Sequence, residues 1–196
     1  MKGESGAVEP KELLDILSVA EKLKCNTRHS YTSSGRKESV AEHSWRLALM
    51  ALLLRDEFPE ADMDRVLRMC IIHDLGEAFT GDIPAFEKSE GDGQREEALL
   101  EEWVGGFPAP CGPELLDLLR EMDALETVEA RIYKALDNLE AVIQHDEADI
   151  TTWLPLEYEL QLTYGAERVK ASPYLQRLKA EIDRRTLRKI AAAKEN

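Results

Sequence analysis

Apolar residues recur at three- and four-residue intervals through almost all of this sequence, and convincing runs of alternating apolar and polar residues are absent. Pro10 opens a first helix that would turn Leu13, Leu14, Ile16, Leu17 and Ala20 inward and run out near Cys25 and Asn26. A polar connector, rich in serine and holding Gly35, follows over residues 27–37. Ser39 then has the character of a helix N-cap, with Glu42 three residues on to complete a capping box. The second helix should reach about Phe58, with Pro59 beyond its end, and a third should run from near Asp62 to Gly76. Gly81-Asp82-Ile83-Pro84 is loop chemistry, and the charged, glycine-bearing residues 87–93 read as mobile. Helical periodicity resumes over about 94–104, breaks at 105–110, and returns over 114–122, about 127–146, 155–164 and about 173–194. With no repeat and no dividing linker, the expectation is an all-α bundle. It would be a single domain over residues 1–196, with a core of about 10–147 and C-terminal helices of about 155–194.

Composition narrows the function classes. The chain has 196 residues, 43% of them hydrophobic and 33% charged, which suits one globular domain with a sizeable core. A formal net charge of −14 argues against nucleic-acid binding, because phosphate-backbone contacts need clustered Lys and Arg. A small phosphorylated substrate remains compatible, since it needs only one or two local cations. Cys25, Cys70 and Cys111 lie far apart with no C-x-x-C pair, as expected of a reduced, cytoplasmic chain. The stretch Met1-Lys2-Gly3-Glu4-Ser5-Gly6 lacks the apolar core of a signal peptide. The longest apolar run, residues 47–54, is less than half of the roughly 20 residues a membrane span needs.

The candidate chemistry starts at His73-Asp74, which ends an inward stripe of Val66, Met69 and Cys70. A carboxylate emerging from a buried helix is costly unless it is paired, protonated or metal-bound. His43 lies one turn into the helix begun at Ser39, on the face continued by Leu47, Met50 and Leu54. Asp137 sits in the long helix beside Ile132, Leu136, Leu139 and Ile143. Two imidazoles and two carboxylates would suit one divalent cation with open positions for water and substrate. Spacing alone leaves the bland readings standing: an inward His can be a hydrogen-bonded core residue, and Asp137 can be paired with the nearby Lys134 or Arg131. Trp45 and Trp153 read as core or interface residues rather than a base-stacking platform. His145, followed by Asp146 and Glu147 at a helix end, reads as solvated.

Three stretches together resemble the HD-domain metal-dependent phosphohydrolases, in the branch of the 5′-deoxynucleotidases: Glu38-Ser39-Val40-Ala41-Glu42-His43-Ser44, then His73-Asp74-Leu75-Gly76-Glu77-Ala78-Phe79-Thr80-Gly81-Asp82-Ile83-Pro84, then Lys134-Ala135-Leu136-Asp137. The resemblance runs from about Leu23 to beyond Gln144. It implies an HD-domain helical bundle that releases phosphate from (deoxy)nucleoside 5′-monophosphates. His43, His73, Asp74 and Asp137 would be the metal ligands and Glu77 the acid/base residue beside the attacking water; its position four residues after His73 agrees with a shared helical face. Asp82 would help hold substrate and the catalytic groups, and Arg28 would grip the substrate phosphate with its planar fork. His29 stands where relatives often carry Trp beside the sugar, so it becomes a candidate substrate contact with an open preference for deoxyribose or ribose. The cofactor would be one divalent cation, Mn, Co, Fe, Zn or, less readily, Mg. The competing readings are an HD hydrolase of another nucleotide or small phosphate ester, and a helical interaction module without turnover. With only four histidines, a binuclear His-rich site of the diesterase kind is not expected. The partners expected are a nucleotide substrate and a second copy of the chain. Trp153, Leu154, Leu156, Tyr158, Leu160, Leu162 and Tyr164 supply more apolar surface than a short helix needs, to pack on the core or on that copy.

Overall fold

The computed structural model describes residues 8–194, and the Met1 to Gly6 stretch lies outside them. Helix α1 (Pro10–Ala20) is capped by Glu9 and leads through a 3-10 turn (Glu21–Lys24) into two short antiparallel strands, β1 (Thr27–Tyr31) and β2 (Lys37–Ser39). Thr27 pairs with Ser39 and Tyr31 with Lys37, with an irregularity between them. Residues 27–37 are therefore a hairpin rather than a connector. Its strands are too short and too polar to carry a readable alternation, and the pairing is made across the turn.

The Ser39 capping box forms as expected: Ser39 Oγ accepts from Glu42 N–H, and Glu42 Oε2 accepts from Ser39 N–H at 2.9 Å. It starts α2 (Val40–Leu53), which ends short of Phe58 because residues Arg55–Glu57 tighten into a 3-10 turn. α3 (Met63–Ile72), capped by Asp62, stops before His73 and not at Gly76. A tight turn then leads to the single-turn α4 (Glu77–Thr80). Gly76 permits this because a Cβ there would stand 2.7 Å from Glu96 Cγ. Gly81 follows with φ +76°, a conformation that L side chains rarely adopt.

Of residues 87–93 only 87–89 are loop, and 90–93 are helical. Ser89 builds a second capping box with Asp92, so α5 (Glu90–Gly105) begins earlier than its periodicity indicates, with both glycines in its first turn. α6 (Cys111–Ala124) likewise starts ahead of the expected boundary, α7 (Val128–Glu147) nearly matches it, and α8 (Glu157–Thr163) and α9 (Pro173–Lys194) close the bundle.

α7 is the central element. It packs against α2, α3, α6 and α9, and buries Ile132, Leu136, Leu139 and Val142 among Leu47, Val66, Met69 and Leu175. Each such side chain contributes about 1.5–3 kcal/mol on leaving water. The expected inward face of α1 is only partly inward: Ile16 and Ala20 are half-buried, whereas Leu13, Leu14 and Leu17 are all about half exposed or more. Trp45 is also 65% exposed and so is not a core residue, whereas Trp153 is buried.

Candidate active site

Four side chains from three segments converge where α2, α3 and α7 meet. α2 delivers His43 one turn after its cap, the end of α3 delivers His73 and Asp74, and the middle of α7 delivers Asp137. His43 Nε2 lies 3.2 Å from His73 Nε2 and 3.1 Å from Asp137 Oδ1, and His73 Nε2 lies 2.9 Å from Asp74 Oδ2. Two longer cross-distances, His43 Nε2 to Asp74 Oδ2 and His73 Nε2 to Asp137 Oδ1, are 3.8 and 3.7 Å.

The outer atoms fix what faces inward. His73 Nδ1 is 3.1 Å from the Cys70 carbonyl, an acceptor only, so it donates there and leaves Nε2 as a lone pair. His43 Nδ1 bonds Glu140 Oε2 and likewise turns its Nε2 inward. Asp74 Oδ2 is buried with no hydrogen-bond partner among the described residues. Two imidazole lone pairs and two carboxylate oxygens thus point at one small volume, an arrangement that repels itself unless a proton or cation sits within it. The donor set suits a divalent ion of the Mn, Co, Fe or Zn kind. Without a cation the cluster retains protons. Burial and Arg28 push His43 down, but Glu140 and Asp137 outweigh them and hold it at about 10. Burial raises Asp137, yet Lys134 and the two imidazoles draw it well below the usual carboxylate range. Lys134 Nζ binds Asp137 Oδ2 at 2.8 Å while Oδ1 faces the histidines, so ion pairing and convergence coexist at this residue.

Around this cluster lie the other expected groups. Glu77, at 5% exposure, has an Oε2 without a hydrogen bond among the described residues, and burial together with Asp74 and Asp82 pushes its carboxyl up to about 9. Burial raises Asp82 too, against the pull of Arg28 and a hydrogen bond from the His29 backbone N–H. Arg28, on β1, has Nη1 3.6 Å from Asp74 Oδ2 and Nε 3.4 Å from Glu38 Oε2. Its Nε has no hydrogen-bond partner among the described residues. A cavity open to solvent runs outward from Arg28 and Asp82 past His29, Phe86, His145 and Tyr164. His29 is neither free in solvent nor aimed at the four-residue cluster: its Nε2 is 3.2 Å from Glu157 Oε1.

Three features escape a reading of the chain alone. Glu140 is fully buried, holding His43 with one oxygen and receiving Arg46 Nε at 2.5 Å on the other. Its position three residues after Asp137 was the available signal. Glu38 is buried beside Arg28 and pushed up to about 7 by burial and Glu140. His145 is not solvated: it contacts Glu157, Ser30 and the Ala141 carbonyl inside the cavity.

The chain is similar to known proteins over most of its length. The family model described as HD domain matches residues 20–179. A human protein named 5′-deoxynucleotidase is 29% identical over 188 residues, 93% of this chain and 90% of its own. Its bovine counterpart is 31% identical over 141 residues, covering 70% of this chain and 68% of its own. A crystal structure from Magnetospirillum magnetotacticum, described as a predicted metal-dependent phosphohydrolase, superposes with a TM-score of 0.76 at 28% identity, covering 93% of this chain and 97% of that one. A Pyrococcus furiosus protein gives 0.71 at 30% identity over 87% of this chain and 99% of its own.

Proposed function

The chain belongs to the HD-domain family, and from that premise we propose that it is a metal-dependent phosphomonoesterase acting on deoxynucleoside 5′-monophosphates. The observation that carries the reading is that His43 Nε2 lies within 3.8 Å of His73 Nε2, Asp74 Oδ2 and Asp137 Oδ1, beside the guanidinium of Arg28. Those four residues would hold the cation. When bound, a divalent cation supplies Lewis acidity, lowering the pKa of water from about 15.7 toward roughly 7.

The protein's own groups do the rest. Arg28 takes the phosphate: its fork can bind two non-bridging oxygens and offset the charge that builds on them in the transition state. Glu77 orients the attacking water and would accept its proton once the positive charge of a bound cation holds its carboxyl ionised. Asp82, tethered by the His29 N–H, sets the position of Arg28 at the cavity mouth. The nucleoside then extends into the cavity along His29 and Phe86. A wider opening near His73 is lined by Glu96, Glu97, Glu101 and Asp123 together with Lys134, and its net negative charge disfavours a phosphorylated ligand.

Phosphate release from a panel of ribo- and deoxyribonucleoside mono-, di- and triphosphates, with Mn²⁺ or Co²⁺ added, tests the reading. Deoxynucleoside monophosphates should be the best substrates, and Glu77→Gln should lose roughly 10²–10⁴ in kcat. Full activity in Glu77→Gln or Asp74→Asn would overturn the assignment. A protein that takes up no metal and releases no phosphate would instead be an interaction module.

The domain, location and assembly follow as our own readings. We take residues 1–196 as one domain because α9 packs on α7, the helix that carries Asp137. Three free cysteines support a cytoplasmic location. No helix among the described residues is long and apolar enough to cross a membrane. A homodimer is supported by the apolar stripe Trp45, Leu49, Leu52 and Leu53 on α2, more than by the C-terminal residues, where Trp153 packs on Tyr158 and His145.

A further inference from the structure

A second cluster of metal-type donors lies at the far wall of the substrate cavity, on residues the phosphoryl chemistry does not use. His145 Nε2 is 2.8 Å and His29 Nε2 3.2 Å from one atom, Glu157 Oε1. The three residues come from separate elements: β1, α7 and α8. Glu157 is 1% exposed, and its other oxygen is already taken by the Leu154 N–H at 2.6 Å, so Oε1 alone is presented to the imidazoles.

The local architecture repeats that of the catalytic cluster. There, His73 Nδ1 reaches back to the helical carbonyl of Cys70 and aims Nε2 at a carboxylate oxygen 2.9 Å away. Here, His145 Nδ1 lies 3.2 Å from Ser30 Oγ and 3.3 Å from the helical carbonyl of Ala141, both able to accept its proton, and aims Nε2 at a carboxylate oxygen 2.8 Å away. A histidine that donates through Nδ1 presents a lone pair at Nε2, and a lone pair facing a buried carboxylate is relieved by a cation between them. A second observation points the same way. Gln161, one helical turn beyond Glu157 and 4% exposed, lines the same cavity, and its Oε1 has no hydrogen-bond partner among the described residues. An ion or its bound water would give that oxygen a partner.

We propose that His29, His145 and Glu157 form a second cation site, separate from the four-residue cluster. Two imidazoles and one carboxylate select a first-row ion with affinity for nitrogen, such as Zn²⁺ or Co²⁺, over Mg²⁺, which prefers an all-oxygen shell. Three protein donors leave at least one position open toward the cavity. An ion there ties the hairpin that carries Arg28 to α7, which carries Asp137, and thereby fixes the width of the nucleoside cavity. It is a positioning site and takes no part in bond breaking.

The chain has four histidines, two in each cluster, which makes the test direct. Protein stripped with EDTA is titrated with Zn²⁺ in excess Mg²⁺ while the ring ¹⁵N resonances are followed by NMR. Movement of one ring nitrogen in each of the four histidines supports the site, whereas movement confined to His43 and His73 overturns it. Bound zinc, measured by atomic absorption after dialysis, should fall by one equivalent in both His145→Ala and Glu157→Gln, and one equivalent should survive in the His73→Ala/Asp74→Ala double variant. Equal zinc in wild type and His145→Ala, with both folded by circular dichroism, overturns the proposal. The NMR readout on unmodified protein decides the matter if a variant fails to fold.

Discussion

Glu77 and His43 are held in protonation states that an isolated carboxyl or imidazole would not keep. Burial, then Asp74 and Asp82, lift Glu77 to about 9, and Glu140 and Asp137 overcome burial and Arg28 to lift His43 to about 10. In chelated protein, the folded state therefore keeps a proton on Glu77 between pH 4.5 and about 9, and one on His43 between pH 6.5 and about 10, that the unfolded chain has lost. Stability falls with rising pH wherever the folded state binds more protons, so both groups act in the same direction. Glu38, lifted to about 7, adds to it from pH 4.5 upward. Calorimetry in EDTA should show Tm falling from pH 5 to pH 9, with a shallower fall in Glu77→Gln. A Tm that rises over that interval would contradict the arrangement. The candidate ligands are legible in the sequence, because His43, His73, Asp74 and Asp137 interrupt apolar stripes. Glu140 was not, because a mid-helix glutamate resembles a solvated one until His43, 97 residues away, closes over it.

Among the elements, α2 shows how local chemistry prepares a site. Ser39 stops the strand and caps the helix, Glu42 returns the bond, and Arg36 clamps Glu42 through contacts including 2.8 Å from Nη1 to Oε2. His43 appears one turn later, beside the capped end of the helix. Replacing Ser39 by Ala removes the acceptor for Glu42 N–H and should cost about 1 kcal/mol in urea unfolding. A change within measurement error would mean that the Glu42–Arg36 pair alone holds the helix start. Caps of this kind are written in four residues and so could be read directly. The hairpin could not, since the ladder between Thr27 and Ser39 depends on a turn bringing two polar segments together. α5 was misjudged at its start because Gly91 and Gly93 suggest a loop, while the Ser89–Asp92 box overrides them.

Taken together, the bundle buries α7 thoroughly and leaves apolar side chains on its outer helices. On α2, Trp45, Leu49, Leu52 and Leu53 form one stripe, with Leu53 at 74% exposure. Leu14 of α1 is 66% exposed. Contiguous apolar surface of this kind marks an interaction site more often than a bare exterior. Sedimentation velocity should find a dimer, and Trp45→Glu/Leu53→Glu should shift it to monomer with little loss of helicity. A wild type that stays monomeric at high micromolar concentration would rule out the dimer. Periodicity set the amphipathic character of α1 but could not tell whether the covering surface belongs to this chain.

Helix content, caps and the identity of the four polar residues on apolar faces follow from the order of amino acids, because propensity, capping and amphipathicity act over one or two turns. Convergence is of another kind. That His43, His73, Asp74 and Asp137 meet, that Glu140 sits behind them, and that His29, His145 and Glu157 share one oxygen depend on contacts between residues far apart in the chain. Such contacts arise only when α7 packs against α2 and α3, which is why the sequence singles out His73-Asp74 but offers His43 and Asp137 only as candidates for the company it keeps.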